Sequence, residues 1–387
     1  NDFITNDQTL SYKGTVKNFT DNGDVIKLEL KDHSGTIVKT TFATISNGTW
    51  SWDDIGVTRD DGNYTLVATI VDKAGNRVNT AAAGQDTQII TIDHDGSKNT
   101  DNSDGGATPQ NDANTAATVS ISAITDDTGS STTDFVTADP TLTITGTVGN
   151  FSSTGTSTGD QLLVTIKNNA GTVVATQFVK PDSTGHWSMN NQANSLADGK
   201  YTITADVVDL SGNTVKVGTT QPLIVDTNKG GTDASSNTNS GTGASEADTN
   251  AGSTVSIAIG GITDDTGIST SDFITSDGSL VISGTTANFS NTGTATGDKV
   301  RVQLLNAAGT VVAEKYTDPA SNAWSFDNTA STLADGNYTI KAAIVDKAGN
   351  IVKAAADQAL VISNTAAPTS ARRSRSRPGS TTPAAAT

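Results

Sequence analysis

Apolar and polar residues alternate in short runs along most of the chain. "VIKLEL" from Val25, "LLVTI" from Leu162 and "VRVQLL" from Val300 each put every second residue on one face, the period of a half-buried β-strand. No stretch repeats at the helical period of 3.6. Gly, Asn and Asp punctuate the runs at short, regular intervals, which predicts turns between consecutive strands.

The pattern is written three times. "DFITNDQTLSYKGTV" from Asp2, "DFVTADPTLTITGTV" from Asp134 and "DFITSDGSLVISGTT" from Asp272 align without gaps. Each leads to a Phe (Phe19, Phe151, Phe289), a Gly-Asp pair (Gly23-Asp24, Gly159-Asp160, Gly297-Asp298) and one of the alternating strands. There follow "GTIVKT", "GTVVAT" or "GTVVAE", then a Trp-Ser pair at Trp50, Trp187 or Trp324. Each unit closes with "DGNYTLVATIVDKAGN", "DGKYTITADVVDLSGN" or "DGNYTIKAAIVDKAGN" and a last strand. About seven short strands per unit predict an all-β protein of three tandem Ig-like antiparallel β-sandwich domains. Tyr64, Tyr201 and Tyr338 open the penultimate strand, where a tyrosine corner sits, and the tryptophans read as core plugs.

These boundaries follow: an N-terminally truncated domain over 1–93, a linker over 94–116, a domain over 117–226, a linker over 227–253, and a domain over 254–365. The linkers are rich in Gly, Ser and Asn and too polar to build a core. Residues 366–387 read as a disordered tail, partly a cloning remnant, because four of the seven arginines crowd between Arg372 and Arg377. The chain opens within the repeated motif, which predicts an excised fragment.

Composition narrows the function. A net charge of −17 excludes nucleic acid as a partner and disfavours anionic membranes. No apolar run approaches the ~20 residues of a membrane helix, so no membrane insertion is expected. Without cysteine there is neither a disulfide nor a thiolate metal site. The three histidines, His33, His94 and His186, fall at different places in the units and make no shared site. Recurrence of the carboxylates once per unit suits structure better than catalysis, so no enzyme is expected.

The carboxylates carry the chemistry. "ITDDTGSSTTDFVTAD" and "ITDDTGISTSDFITSD" precede the second and third units. Along the penultimate strand Tyr201, Ile203, Ala205 and Val207 share the inward parity, and Asp209 is next in line at the rim; Asp72 and Asp346 hold that place in the other units. If the acidic segment enters at that same rim, Asp126, Asp127 and Asp134 approach Asp209, and Asp264, Asp265 and Asp272 approach Asp346. Two carboxylates ~4 Å apart repel by roughly 1–4 kcal/mol at surface-like dielectric. A hard cation that takes six to eight oxygens relieves this, and Ca2+ fits better than Mg2+ or Zn2+. The first unit keeps only Asp2, Asp72 and Asn76 and is expected to bind weakly or not at all. Asp139 and Asp277 are weaker candidates, as are Asp93 and Asp226, which end the last strands and could reach the next junction.

These motifs, together with "LADG(K/N)YTI" and "VVDLSGN"/"IVDKAGN", resemble the Ig-like repeats of giant bacterial adhesins exported by type I secretion, of the Salmonella giant non-fimbrial adhesin and biofilm-associated protein type. The resemblance implies a secreted, cell-surface, monomeric rod, stiffened by Ca2+ at domain junctions, that reaches host-cell surface glycans or receptors or the biofilm matrix. One alternative is that a domain is itself a glycan- or receptor-binding tip module; another is that these are accessory domains of an extracellular glycosidase.

Overall fold

A computed structural model describes residues 3–17, 23–78, 85–94, 98–99, 110–154, 157, 159–227, 232–233 and 246–364. The expected tail over 366–387 and the greater part of both linkers lie outside them. The described residues hold no α-helix, only strands and three short 3-10 turns.

The first repeat consists of β1 (Ile4–Thr5), β2 (Ser11–Thr15), β3 (Val25–Lys31), β4 (Ile37–Thr44), β5 (Thr49–Asp53), β6 (Gly62–Val71) and β7 (Gln85–Ile92). A small ladder of β8 (Lys98–Asn99) and β9 (Gln110–Asn111) follows. The second repeat holds β10 (Thr118–Ile124), β11 (Val136–Thr137), β12 (Thr143–Gly149), β13 (Gln161–Asn168), β14 (Val173–Val179), β15 (His186–Asn190), β16 (Gly199–Val208), β17 (Thr214–Lys216) and β18 (Thr220–Val225). After a second ladder, β19 (Thr232–Asp233) with β20 (Glu246–Ala247), the third repeat copies the second. Its strands are β21 (Ser256–Ile262), β22 (Ile274–Thr275), β23 (Val281–Ala287), β24 (Lys299–Asn306), β25 (Val311–Thr317), β26 (Ala323–Asp327), β27 (Gly336–Val345), β28 (Ile351–Ala354) and β29 (Gln358–Ile362). The first two repeats fall in one compact unit and the third in another.

In the second repeat one sheet runs β10-β12-β15 and the other β11-β18-β16-β13-β14, with β17 on the end of β16. β11 lies parallel to β18, and the remaining pairings are antiparallel. Alternation places Ile144, Leu162, Val164, Ile166, Ile203, Ala205, Val207 and Leu223 between the sheets, all fully buried. Tyr201, Ile203, Ala205 and Val207 do share the inward face. Trp187 and Trp324 are buried in the cores of their repeats, and Trp50 is half-buried in the first. The three tyrosines make the expected corner: the Tyr201 hydroxyl donates to the Ala197 carbonyl at 2.7 Å, and Tyr64 and Tyr338 do the same to Asp60 and Ala334.

Gly146 lies beneath Trp187 because the ring needs the space. A Cβ there would stand 2.3 Å from the ring and 2.0 Å from the Ser120 carbonyl oxygen.

Two boundaries shift. Both linkers end in structure: Asp112 heads a 3-10 turn over Ala113–Ala116 and Asp248 heads one over Thr249–Ala251, with Asn114 and Asn250 fully buried. An Asp side chain that accepts the second backbone N–H after it starts such a turn without any apolar residue, so the polar composition that reads as linker conceals part of the fold.

Overpacking a close-packed core costs about 1–3 kcal/mol. Gly146→Ala is therefore expected to destabilise the second repeat by that amount, read as a lower urea midpoint at unchanged slope. An unaltered midpoint would contradict the close Gly-Trp approach.

Candidate cation sites at the ends of the repeats

Strand register fixes where each carboxylate lies. Gln161 pairs with Val208 at one end of the second repeat, so Asp160 and Asp209 sit side by side one residue beyond. Gly199 pairs with Val225 at the other end, which places Asp198 and Asp226 there.

The chain enters the repeat at the Asp209 end, through the 3-10 turn. β10 then carries it seven residues along the sandwich, ~3.3 Å per residue, before the acidic segment begins. Asp126, Asp127 and Asp134 consequently lie at the exit end, far from Asp209. Asp264, Asp265 and Asp272 are likewise separated from Asp346 by the length of β21 and β27. The expected convergence of these groups is corrected: "TVSISAI" is an additional strand that precedes the motif and inverts its end. Asp2 lies outside the described residues.

At the entry end of the second repeat, Asp209 and Asp93 are joined by Asp112 and Asp160, which the sequence alone did not single out. Asp112 Oδ1 accepts from the Asn114 N–H and the Ser157 hydroxyl, both at 2.6 Å. Its Oδ2 is buried with no hydrogen-bond partner. The Asn114 amide nitrogen donates to Asp160 Oδ2 at 2.7 Å and to the Ser152 carbonyl at 2.8 Å. Asp209 accepts from the Asn213 N–H at 2.8 Å and from its side-chain amide at 2.9 Å. That amide also donates, at 2.6 Å, to the backbone carbonyl of Asp93, the residue that closes the first repeat. β17, just beyond the Asp209 turn, lies against the 3-10 turn that Asp112 heads. Asp93, Asp112, Asp160 and Asp209 are all almost completely buried.

The third repeat rebuilds this entry end. Asp248 accepts from the Asn250 N–H at 2.6 Å, and Asn250 donates to Asp298 at 2.7 Å. Asp346 accepts from the Asn350 N–H and side chain at 2.9 Å each. The repeated signal was legible: Asp-x-Asn ends both linkers, and Gly-Asp precedes each alternating strand.

The exit end is built from "ITDDTGSSTTDFVTAD". Asp126 takes a positive φ of 49°, and its carbonyl accepts from the Thr137 hydroxyl at 2.6 Å. Asp127 Oδ2 accepts from the Phe135 N–H at 3.0 Å, and its buried Oδ1 has no hydrogen-bond partner. Asp134 accepts from the Val136 N–H at 3.2 Å. Asp264, Asp265 and Asp272 repeat these contacts with Thr275, Phe273 and Ile274. Asp226 closes β18 at this end, fully buried; Ser363 takes its place in the third repeat. Asp139 and Asp277 cap turns through the N–H of Thr141 and Ser279.

Electrostatics separates Asp209 from Asp72, which hold the same turn in two repeats. Burial pushes the Asp209 carboxyl above its ordinary value, against the hydrogen bonds from Asn213. Burial does the same to Asp127, helped by the charge of Asp134. Asp72 occupies the same turn in the first repeat but is open to water; the Asn76 hydrogen bonds hold its carboxyl below the ordinary value.

As a donor set both ends are all oxygen, which suits a hard cation and not zinc. Asp112 and Asp127 each keep one buried carboxylate oxygen without a hydrogen-bond partner. Among the described residues, however, no three His, Cys, Asp or Glu side chains are gathered into a closed cage.

The sequence model of the bacterial Ig-like domain matches residues 1–94, 113–227 and 252–362. No curated protein sequence matches the chain. Among solved structures, a tetra-tandem repeat from the extending region of a large adhesion protein is 21% identical, over 92% of this chain and 71% of that one, with a TM-score of 0.20. A structure concerned with host cell surface retention of a 1.5-MDa bacterial ice-binding adhesin is 18% identical over 93% of each chain, with a TM-score of 0.25. The BSP domain of a biofilm-associated protein is 12% identical over 92% of this chain and 63% of that one, with a TM-score of 0.20. Superpositions at such scores carry no argument, and the fold stands on its own strand pairings.

Carboxyl-carbon NMR titration in chelator is expected to place Asp209 and Asp127 above 3.8 and Asp72 below it. A raised carboxyl makes the native state the stronger proton binder. Its contribution to stability therefore increases as pH falls through the folded value toward 3.8. The contribution of Asp72 is instead lost as pH falls below 3.8. The reverse order of these residues would contradict the burial assigned to the entry end.

Proposed function

The chain belongs to the bacterial Ig-like domain family, and from that premise we propose that it is a calcium-stiffened segment of a secreted bacterial surface adhesin. Its three sandwiches extend the reach of the cell toward host glycans or receptors, or toward biofilm matrix. The family match supports the repeat architecture, and the motifs that resemble giant-adhesin repeats support the setting. No helix among the described residues is long and apolar enough to cross a membrane.

One observation carries the calcium reading: the buried, partnerless Oδ2 of Asp112 beside a junction where Asn213 bonds the last residue of the preceding repeat. Asp112, Asp160 and Asp209 would hold the ion at the entry end, and Asp127 with Asp134 at the exit end. Asp248, Asp298 and Asp346, with Asp265 and Asp272, would do the same in the third repeat. The bound ion supplies positive charge that offsets the desolvated carboxylates. Asn114 and Asn213 orient those carboxylates, and the Asp93–Asn213 bond ties that neutralisation to the seam between the first two repeats. An open, loop-built site fits the weak range of extracellular modules, about 10⁻⁴–10⁻³ M.

At a hundredfold excess over the dissociation constant, Ca2+ adds about 2.7 kcal/mol to the folded state. For a ~100-residue domain that is a rise in melting temperature on the order of 10 °C. The rise, with a more extended small-angle scattering profile, is expected in calcium relative to chelator. Asp112→Ala and Asp209→Ala should each remove most of the increment, whereas Asp139→Ala should leave it. Coincident melting curves with and without the ion would sink the proposal.

A further inference from the structure

The second repeat departs from the third at the hairpin between β14 and β15. Five residues separate Pro181 from Trp187, whereas four separate Pro319 from Trp324. Asp182 organises the longer turn. Its Oδ1 accepts from the Thr184 hydroxyl at 2.6 Å, the Thr184 N–H at 2.8 Å and the His186 N–H at 3.0 Å. These bonds, the hydroxyl's first, hold the Asp182 carboxyl below its ordinary value, so it is ionised at neutral pH. The Thr184 hydroxyl gives its one proton to Asp182 and therefore accepts from His186 Nδ1, 2.8 Å away. That leaves Nε2 of the neutral imidazole as an acceptor.

Beside this hairpin the outer face of the β10-β12-β15 sheet forms an open groove of about 590 Å³, within the range of small-molecule clefts. Thr145, Thr147 and Ser188 line it from the sheet, and Lys180, Asp182 and His186 from the hairpin. Ser122 joins them as the extra residue of the β10 bulge, exposed to solvent. Among the described residues, the Lys180 ammonium, Oδ2 of Asp182 and the hydroxyls of Ser122 and Ser188 take no protein partner.

The sister repeats lack this set. In the third, Asp318 stands in place of Lys180 and pairs with Lys299 at 2.9 Å. Ala320 and Ala323 replace Asp182 and His186, and Gly260 takes the bulge. In the first repeat, Thr44, Ser46 and Thr49 hold the three hairpin positions. The same sandwich thus folds without these groups, and the fold does not account for them. A phosphate or sulfate that reached Lys180 would also meet the charge of Asp182. Adjacent hydroxyls suit both, because each can donate to Asp182 or His186 while accepting from Lys180.

We propose that this groove of the second repeat is a binding site for a neutral saccharide. Lys180, Asp182 and His186 hold a pair of adjacent sugar hydroxyls, and Ser122 and Ser188 bond to the hydroxyls beside them. The second repeat thereby contacts a glycan itself, a role that does not rest on calcium at the repeat ends.

Titration of the whole chain with neutral trisaccharides of glucose, mannose and galactose, followed by amide NMR shifts, tests this. At least one is expected to give saturable shifts at Ser122, His186 and Ser188, with a dissociation constant on the order of 1 mM for so open a site. Gly260, Ala323 and Ser325 should not move. Lys180→Ala and His186→Ala should each weaken binding at least fivefold at an unchanged melting temperature. Failure of all three sugars to give saturable shifts, equal shifts in the third repeat, or tighter binding of a sulfated trisaccharide would overturn the assignment. Melting in calcium against chelator reports on the stalk separately, so either proposal can fail without the other.

Discussion

A carboxylate withdrawn from water demands an opposite charge, a set of donors, or a proton, and that demand organises both ends of these sandwiches. At the entry end of the second repeat, Asp112, Asp160 and Asp209 are buried within one rim, held by the amides of Asn114 and Asn213. Those amides satisfy some oxygens and leave Oδ2 of Asp112 without a bond. The 3-10 turn, the first turn after β16 and the last residue of the preceding repeat are all tied to this set. The set thereby couples the entry end of the second repeat to the close of the first.

The three repeats act as comparisons for one another. Asp72 and Asp209 occupy the same turn, yet one carboxyl is held below its ordinary value and the other is pushed above it. The Asx-type hydrogen bonds are the same in both. What differs is cover: Asp209 lies under the seam with Asp93, whereas Asp72 meets water. The entry end of the second repeat is thus finished by the close of the first.

What the amino-acid sequence determined by itself was everything that follows from local period and repetition. Alternation placed Tyr201, Ile203, Ala205 and Val207 in the core, the tyrosine corner followed from its position on the strand, and threefold recurrence established tandem Ig-like domains. Individual carboxylates were also legible as unusual, Asp127 and Asp209 among them. Which carboxylates share an end was decided only by the tertiary structure. "TVSISAI" is one more alternating run, and whether it lies before or within a sandwich moves the following acidic motif by the length of a strand. The polar runs around Asp112 and Asp248 concealed structure for a related reason: their turns are held by side-chain oxygens and carry no apolar signal. Local periodicity reports which face a residue takes, but the end of the sandwich it reaches depends on strand order and register, which are set by long-range pairing.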